Sequence, residues 1–142
     1  MRVSAKTEYA CLAMLQLAAS HNADEPVRIR DVAEAHGIPP RFLVQILLQL
    51  KVAGLVTSTR GSAGGYQLAR APDDISLADV IAVIEGAESE STRSGLRDSP
   101  AVYALRATWA EIDAAEREML ANVSLADLVA RARGGVENMY YI

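Results

Sequence analysis

Residues 40–51 constrain this 142-residue chain most, because they carry two different stripes at the spacing of an α-helix. One stripe is apolar throughout, as in a helix packed on a core, and consists of Leu43, Ile46, Leu47 and Leu50. The other is mixed and consists of Arg41, Val44, Gln45 and Leu48. Pro40 suits the first turn of a helix, and Gly54 follows its end. The segment therefore predicts a helix with one face for its own core and another for a partner.

Two further helices are predicted before this segment. Residues 6–19 have a broad apolar face and Ser4 as a candidate cap. Residues 30–36 form a short helical segment that Gly37 ends, because glycine adopts the left-handed conformation after a helix at little cost. The turn between this short helix and the helix at 40–51 is therefore tight.

A glycine-rich hairpin is predicted directly after these helices. The β-rich runs 55–58 and 66–68 flank a tip at 59–65 that contains three glycines. Helix, short helix, tight turn, helix and hairpin is the order of a winged helix-turn-helix. We therefore predict a mostly α fold with a small β-hairpin wing, in which the winged helix-turn-helix occupies residues 1–70.

The C-terminal half predicts three more helices. A connecting helix that Gly86 ends and a sensor-like loop at 87–99 make up a region at 71–98. A long helix of about 33 Å follows Ser99 and runs to about residue 121. A final helix begins near Ser124, is expected to end at Gly134-Gly135, and packs back on the body. The long helix and the final helix form the region 99–142.

The long helix carries an apolar seam at alternating steps of three and four residues, interrupted by Glu116. Its members are Val102, Leu105, Trp109, Ile112, Met119 and Val123. An ordinary core stripe would show the same spacing. Because a domain this small can hardly cover so long a helix by itself, we favour an interface with a second copy, arranged antiparallel about a two-fold axis. Trp109 is the expected anchor of this homodimer.

Charge is distributed unevenly along the chain. The net charge is −4, but residues 1–70 carry eight Lys and Arg against five Asp and Glu, whereas residues 71–142 carry six against thirteen. This asymmetry favours a basic contact module on an acidic body, although chance gives the same pattern. The apolar runs are much shorter than a membrane span of about 20 residues, and no signal peptide is recognisable. We expect a cytoplasmic protein without a membrane partner.

The predicted fold indicates double-stranded DNA as the partner, because the major groove admits one α-helix. Arg41 can pair with guanine and Gln45 with adenine, and Arg60 at the hairpin tip can enter a narrow minor groove. Backbone N–H groups at 61–65 can donate to phosphates. The predicted DNA contacts are Arg41, Val44, Gln45, Gln49, Lys51, Arg60, Gly61, Ser62, Gly64, Gly65 and Tyr66.

Each of these residues also has an interpretation without DNA. Arg41 can be a solvated first-turn residue, and a glycine-rich hairpin can be merely a mobile turn. Val44 and Leu48 either touch thymine methyl groups or pack against the wing, and for Leu48 we favour packing. The order of the elements is more specific than any single feature.

The chain resembles the IscR/NsrR/CymR-type winged-helix regulators, the Rrf-two family. The matching segments are 9–10, 25–27, 31–34, 37–43, 50–70, 75–80, 84–86 and 123–128. The resemblance implies a dimeric repressor or activator of a palindromic operator, with Arg60 in the minor groove, and of the two we expect a repressor. One departure is Pro39, which stands where the family often has a capping serine.

Many members of that family hold an iron–sulfur cluster on three cysteines, and this chain lacks them. Residues 85–110 contain neither Cys nor His, and serine hydroxyls are poor ligands for such a cluster. We interpret Cys11 as a small buried hydrophobe and Glu8 as a helix-surface residue. We therefore expect no cofactor, which leaves a small molecule, a protein partner or no signal at all as the effector.

Two other functional classes can be compared with DNA binding. The winged helix could serve as a protein-interaction module, regulated by or regulating a metabolic partner protein, rather than bind DNA. An enzyme is not expected, because no nucleophile–base pair, no metal-ligand spacing and no phosphate loop before a helix is present.

Overall fold

The computed structural model describes the backbone of residues 1–86 and 95–140 and the side chains of residues 1–86 and 95–135. Six α-helices and one hairpin are found there, with two short 3₁₀ turns at His21–Ala23 and Pro72–Asp74. The elements are α1 (Ala5–Ala19), α2 (Ile29–His36), α3 (Pro40–Val52), β1 (Val56–Thr59), β2 (Gly65–Leu68), α4 (Leu77–Glu85), α5 (Pro100–Ala121) and α6 (Leu125–Tyr140). Most of the predicted loop at 87–99 lies outside the described residues.

The core of the N-terminal unit is formed where α1, α2 and α3 meet. The predicted stripe of α3 is buried, and Met14 of α1 and Val32 of α2 are also closed to solvent. Ser4 caps α1 by accepting a hydrogen bond from the Thr7 N–H at 3.2 Å. Gly37 ends α2 with a φ of 68°. The predictions for these three helices are confirmed.

The wing is a two-stranded antiparallel hairpin with the register Val56↔Leu68 to Thr59↔Gly65. A third segment joins it, because Val27 and Tyr66 exchange both backbone hydrogen bonds, at 2.9 and 2.8 Å. The loop between α1 and α2 is therefore fastened to the wing at the position where β2 begins.

A joint built from two similar capping boxes connects α4 to α6. Ser76 and Asp79 cap α4, and Ser124 and Asp127 cap α6, each pair through reciprocal side-chain-to-backbone hydrogen bonds. The two boxes pair with each other as an antiparallel bridge between Ser76 and Ser124. Leu125 is fully buried, and α6 packs on α1, so the chain after α5 returns to the body.

Gly134 and Gly135 do not end α6, and the prediction that they would is wrong. The helix continues to Tyr140, and neither glycine has the positive φ that a glycine stop requires. Glycine lowers helix stability by about 1 kcal/mol relative to alanine but does not prevent a helix. In the described residues, no helix is long and apolar enough to cross a membrane.

Candidate nucleic-acid interface

The outward face of α3 is the centre of the candidate site. Arg41, Val44, Gln45 and Leu48 are all exposed, whereas the apolar stripe on the opposite side of the same helix is buried. The two-faced helix predicted from the sequence is confirmed. Leu48 is more than half exposed, so the packing against the wing that we favoured for it is not found.

The other two predicted contacts on α3 differ from each other. Lys51 is exposed in the last turn, where a cation can reach a phosphate. Gln49 is half-buried, and its Oε1 atom is enclosed without a hydrogen-bond partner among the described residues. The Oε1 atom of Gln49 therefore faces the protein rather than the outward face.

An aromatic pair supports the start of α3, and sequence reasoning missed it. The Phe42 and Tyr9 rings lie 5.9 Å apart between centroids, and the Arg41 guanidinium carbon lies 4.9 Å above the Phe42 ring. Such stacking holds a cation over the ring face. Pro39 supplies no side-chain cap, as expected, and its carbonyl accepts the Phe42 N–H at 3.1 Å instead. The sequence did contain a signal for this pair, because Phe42 stands next to Arg41 in a chain with few aromatic residues.

The wing tip presents Arg60, Gly61 and Ser62 to solvent. Gly64 is buried, and its N–H donates to the Gly61 carbonyl at 3.0 Å within the turn. The Tyr66 N–H is likewise committed to Val27. The expected row of free N–H groups at 61–65 is therefore corrected at Gly64, because the turn itself uses that donor.

The predicted seam on the C-terminal half is only partly on α5. Leu105, Trp109, Ile112 and Met119 are exposed, and over the whole described length of α5 no residue is buried. Val102 is half-buried at the start of the helix. Val123 lies beyond the last residue of α5, and its carbonyl accepts the Leu77 N–H at 2.9 Å in the joint. Among the described residues the seam does not serve as a core stripe of the protomer, and Val123 is not one of its exposed members.

Comparison with known proteins identifies the family. The model of the Rrf2 family, described as iron-dependent transcriptional regulators, matches residues 3–131. The chain belongs to the Rrf2 family. It is accordingly a DNA-binding transcriptional regulator with a winged helix-turn-helix and not an enzyme, and the alternative of a protein-interaction module without DNA binding is set aside.

Several Rrf2 relatives match over most of their length. The putative HTH-type transcriptional regulator Rv1287 of Mycobacterium tuberculosis is 44% identical over 135 residues, which cover 93% of this chain and 83% of the relative. CymR of Bacillus subtilis is 35% identical over 143 residues, which cover all of both chains.

Solved structures of Rrf2 proteins agree with this fold. The structure of CymR, the global cysteine regulator of B. subtilis, has a TM-score of 0.79 at 34% identity and covers 92% of this chain and 98% of that one. IscR of T. potens has a TM-score of 0.77 at 34% identity, covering 93% of this chain and 88% of that one.

The donor atoms of this Rrf2 chain do not fit an iron–sulfur cluster. Such clusters need several thiolates, and Cys11 is the single cysteine of the sequence. Within the described residues, no three His, Cys, Asp or Glu side chains converge as metal ligands. The family is described as iron-dependent, but this chain lacks the set of thiolates that could bind iron as a cluster.

Cys11 itself lies in an environment that opposes ionisation. Burial, followed by the negative charges of Glu85 and Glu8, raises the pKa of the Cys11 thiol from 9.0 to about 11. The side chain packs against the core, while Glu8 is exposed on the surface of α1, as expected. Thr7, fully buried one turn before Cys11, donates to Glu85 Oε1 at 3.1 Å and so keeps that carboxylate near the start of α1.

The raised pKa predicts slow alkylation of Cys11. At pH 8 the folded protein should react with iodoacetamide about 100-fold more slowly than the urea-unfolded protein, because its thiolate fraction is smaller by that factor. The rate should rise as the pH approaches 11. Because the unfolded thiol ionises first, the folded state should also lose stability between pH 9 and 11. Equal rates in folded and unfolded protein would show that Cys11 is an ordinary accessible thiol.

Proposed function

We propose that this Rrf2 regulator binds a palindromic operator as a homodimer, with α3 in the major groove and the wing in the adjacent minor groove. The outward face of α3 carries this proposal, since Arg41 and Gln45 are exposed on it while the stripe behind it is buried. The positions of these side chains allow two-hydrogen-bond pairing with guanine and adenine. Arg60 at the exposed wing tip supplies a cation for the minor groove.

The homodimer is supported by the exposed apolar side chains of α5. A two-fold pair of long helices would cover them and would present two copies of α3 to one side of the duplex. Two half-sites related by the same two-fold axis then follow, which is the reason to expect a palindrome. A dimer that occupies such a site in the cytoplasm blocks other proteins from it, and we propose repression on this ground.

Regulation is proposed to proceed without an iron–sulfur cluster. The single half-buried cysteine with a raised pKa supports this, since cluster ligands must be ionised thiolates. Absorbance between 300 and 600 nm, recorded after anaerobic purification and after supply of iron and sulfide, tests the proposal. A cluster spectrum that Cys11→Ala abolishes would overturn it.

The decisive experiment is selection of duplexes from a random library by the purified protein, followed by titration of the recovered site. In a homodimer Arg60→Ala removes one contact from each half-site, so it should bind the site at least about 30-fold more weakly, because each good DNA contact is worth about 1–3 kcal/mol. Arg133→Ala removes the same exposed charge from α6 and is the matched control, with binding expected within about twofold of wild type.

Two outcomes would contradict the proposed function. Selection could return no shared sequence, with only salt-sensitive background binding, which would leave non-specific attraction as the sole interaction with DNA. Alternatively, Arg60→Ala and Arg133→Ala could weaken binding equally, which would show that the wing makes no contact of its own.

A further inference from the structure

The outward face of α3 carries a row of apolar side chains, although a solvent-facing helix surface is normally polar. Val44 is 51% exposed, Leu48 is 56% exposed and Val52 is 82% exposed. These residues follow one another at intervals of four, so they form a line along one side of the helix. The line runs directly beside Arg41 and Gln45, which lie on the same side at the same spacing.

This apolar line is separate from the hydrophobic core. Core residues Leu43, Ile46, Leu47 and Leu50 occupy the opposite side of α3. Among the described residues, none of the three members of the line belongs to the core or to the partly buried side chains packed against it. The line therefore lies outside the core and leaves at least half of each side chain open to an apolar group of a partner.

The chemistry of the major groove identifies that group. Base edges there present hydrogen-bond donors and acceptors, and the one apolar group among them is the C5-methyl of thymine. We propose that Val44 and Leu48 read thymine methyl groups in the operator half-site. This inference rests on the proposed function, because it requires α3 to lie in the major groove.

The spacing along the helix agrees with this assignment. Val44 and Leu48 are about 6 Å apart along the axis, close to two base-pair steps of about 3.4 Å each. Val52 lies about 12 Å beyond Val44, at the end of α3, whereas recognition helices contact bases through their N-terminal residues. Val44 and Leu48 should therefore contact DNA, and Val52 should not.

Deoxyuridine tests the inference, because it removes only the methyl group and keeps every hydrogen-bonding atom of thymidine. The duplex recovered by selection is titrated with thymines of the half-sites replaced by deoxyuridine, singly and together. Each contacted methyl should contribute about 4-fold to binding, so loss of one in each half-site should weaken wild type about 15-fold. Thymines in the flanking sequence, replaced in the same way, serve as the DNA control.

Three protein variants assign the methyl contact to residues. Val44→Ala and Leu48→Ala should bind the natural operator more weakly but should lose sensitivity to deoxyuridine at one half-site position each. Val52→Ala makes the same change as Val44→Ala on the same side of the same helix, and it should keep the sensitivity of wild type. Because all three side chains are exposed, the variants should fold normally, which circular dichroism verifies.

The outcomes separate this inference from the proposed function. If a site is selected and depends on Arg60, but deoxyuridine in the half-sites changes nothing, only the thymine reading is overturned. A selected half-site without thymine would overturn it equally. If no site is selected at all, the proposed function fails first.

Discussion

Ile112→Asp is expected to convert the protein into a monomer and to weaken operator binding by at least about 100-fold. Ile112 lies in the middle of the exposed apolar side of α5, between Trp109, 58% exposed, and Met119, 72% exposed. In a two-fold interface each substitution occurs twice, so two carboxylates would be placed near the axis. Burying an unpaired carboxylate costs several kcal/mol, which exceeds what a coiled-coil layer supplies.

The measurement combines sedimentation equilibrium with titration of the selected operator. Ala114→Asp is the matched control, since it adds the same charge at an exposed position on a different side of α5. The control should remain a dimer and bind like wild type. A dimeric Ile112→Asp variant would show that α5 is not the interface, and a monomeric variant with full operator affinity would show that the two half-sites are bound independently.

The helices of the DNA-binding unit could be predicted because their signals are local. The periodicity of α3 separates Leu43 and Leu50 from Arg41 and Gln45 without any knowledge of the remaining chain. Gly37 marks the end of α2 for an equally local reason, since only the left-handed conformation turns the chain sharply there. The elements and their order followed from such signals.

What could not be predicted depends on contacts distant in sequence. The wing was visible as a hairpin, but its hydrogen bonds to Val27 join segments about 40 residues apart, and no local pattern records them. The same holds for the Tyr9–Phe42 pair, whose rings come from α1 and α3. Gly134-Gly135 failed as a stop for a different reason, because glycine permits a helix end without requiring it.

Leu48 shows how a local signal can be correct and its interpretation still change. Its spacing placed it on the outward face, and the structure confirms that position. The sequence alone left two roles open for Leu48, contact with a thymine methyl group or packing against the wing, and packing was the favoured prediction. In the structure the Leu48 side chain is exposed rather than packed against the wing. Because exposing a leucine to water is unfavourable, this position is an argument for an apolar partner, which the operator can provide.

Gly65→Ala is expected to lower the free energy of unfolding by about 2–4 kcal/mol. A Cβ atom at Gly65 would lie 2.5 Å from the Val27 carbonyl oxygen and 2.6 Å from its carbonyl carbon. Both are backbone atoms in the pair of hydrogen bonds between Val27 and Tyr66, so neither can move without breaking that pair. The φ of 154° adds a conformation that alanine rarely adopts.

Urea unfolding of three variants separates the clash from the backbone strain. Gly61→Ala is the matched control at the wing tip, because Gly61 has a φ of 106° but no described atom lies within 4 Å of its added Cβ. Gly61→Ala should lower the free energy of unfolding only by the backbone strain, about 1–2 kcal/mol. Gly135→Ala in α6 has open space and a helical backbone, and it should stabilise the protein by about 0.5–1 kcal/mol.

If Gly65→Ala unfolds no more easily than Gly61→Ala, the backbone around Val27 can shift without a loss of stability, and it does not hold the wing in place. If the larger loss is observed, the close approach of the Gly65 and Val27 backbones requires glycine at this position, and the contact holds the wing to the loop between α1 and α2.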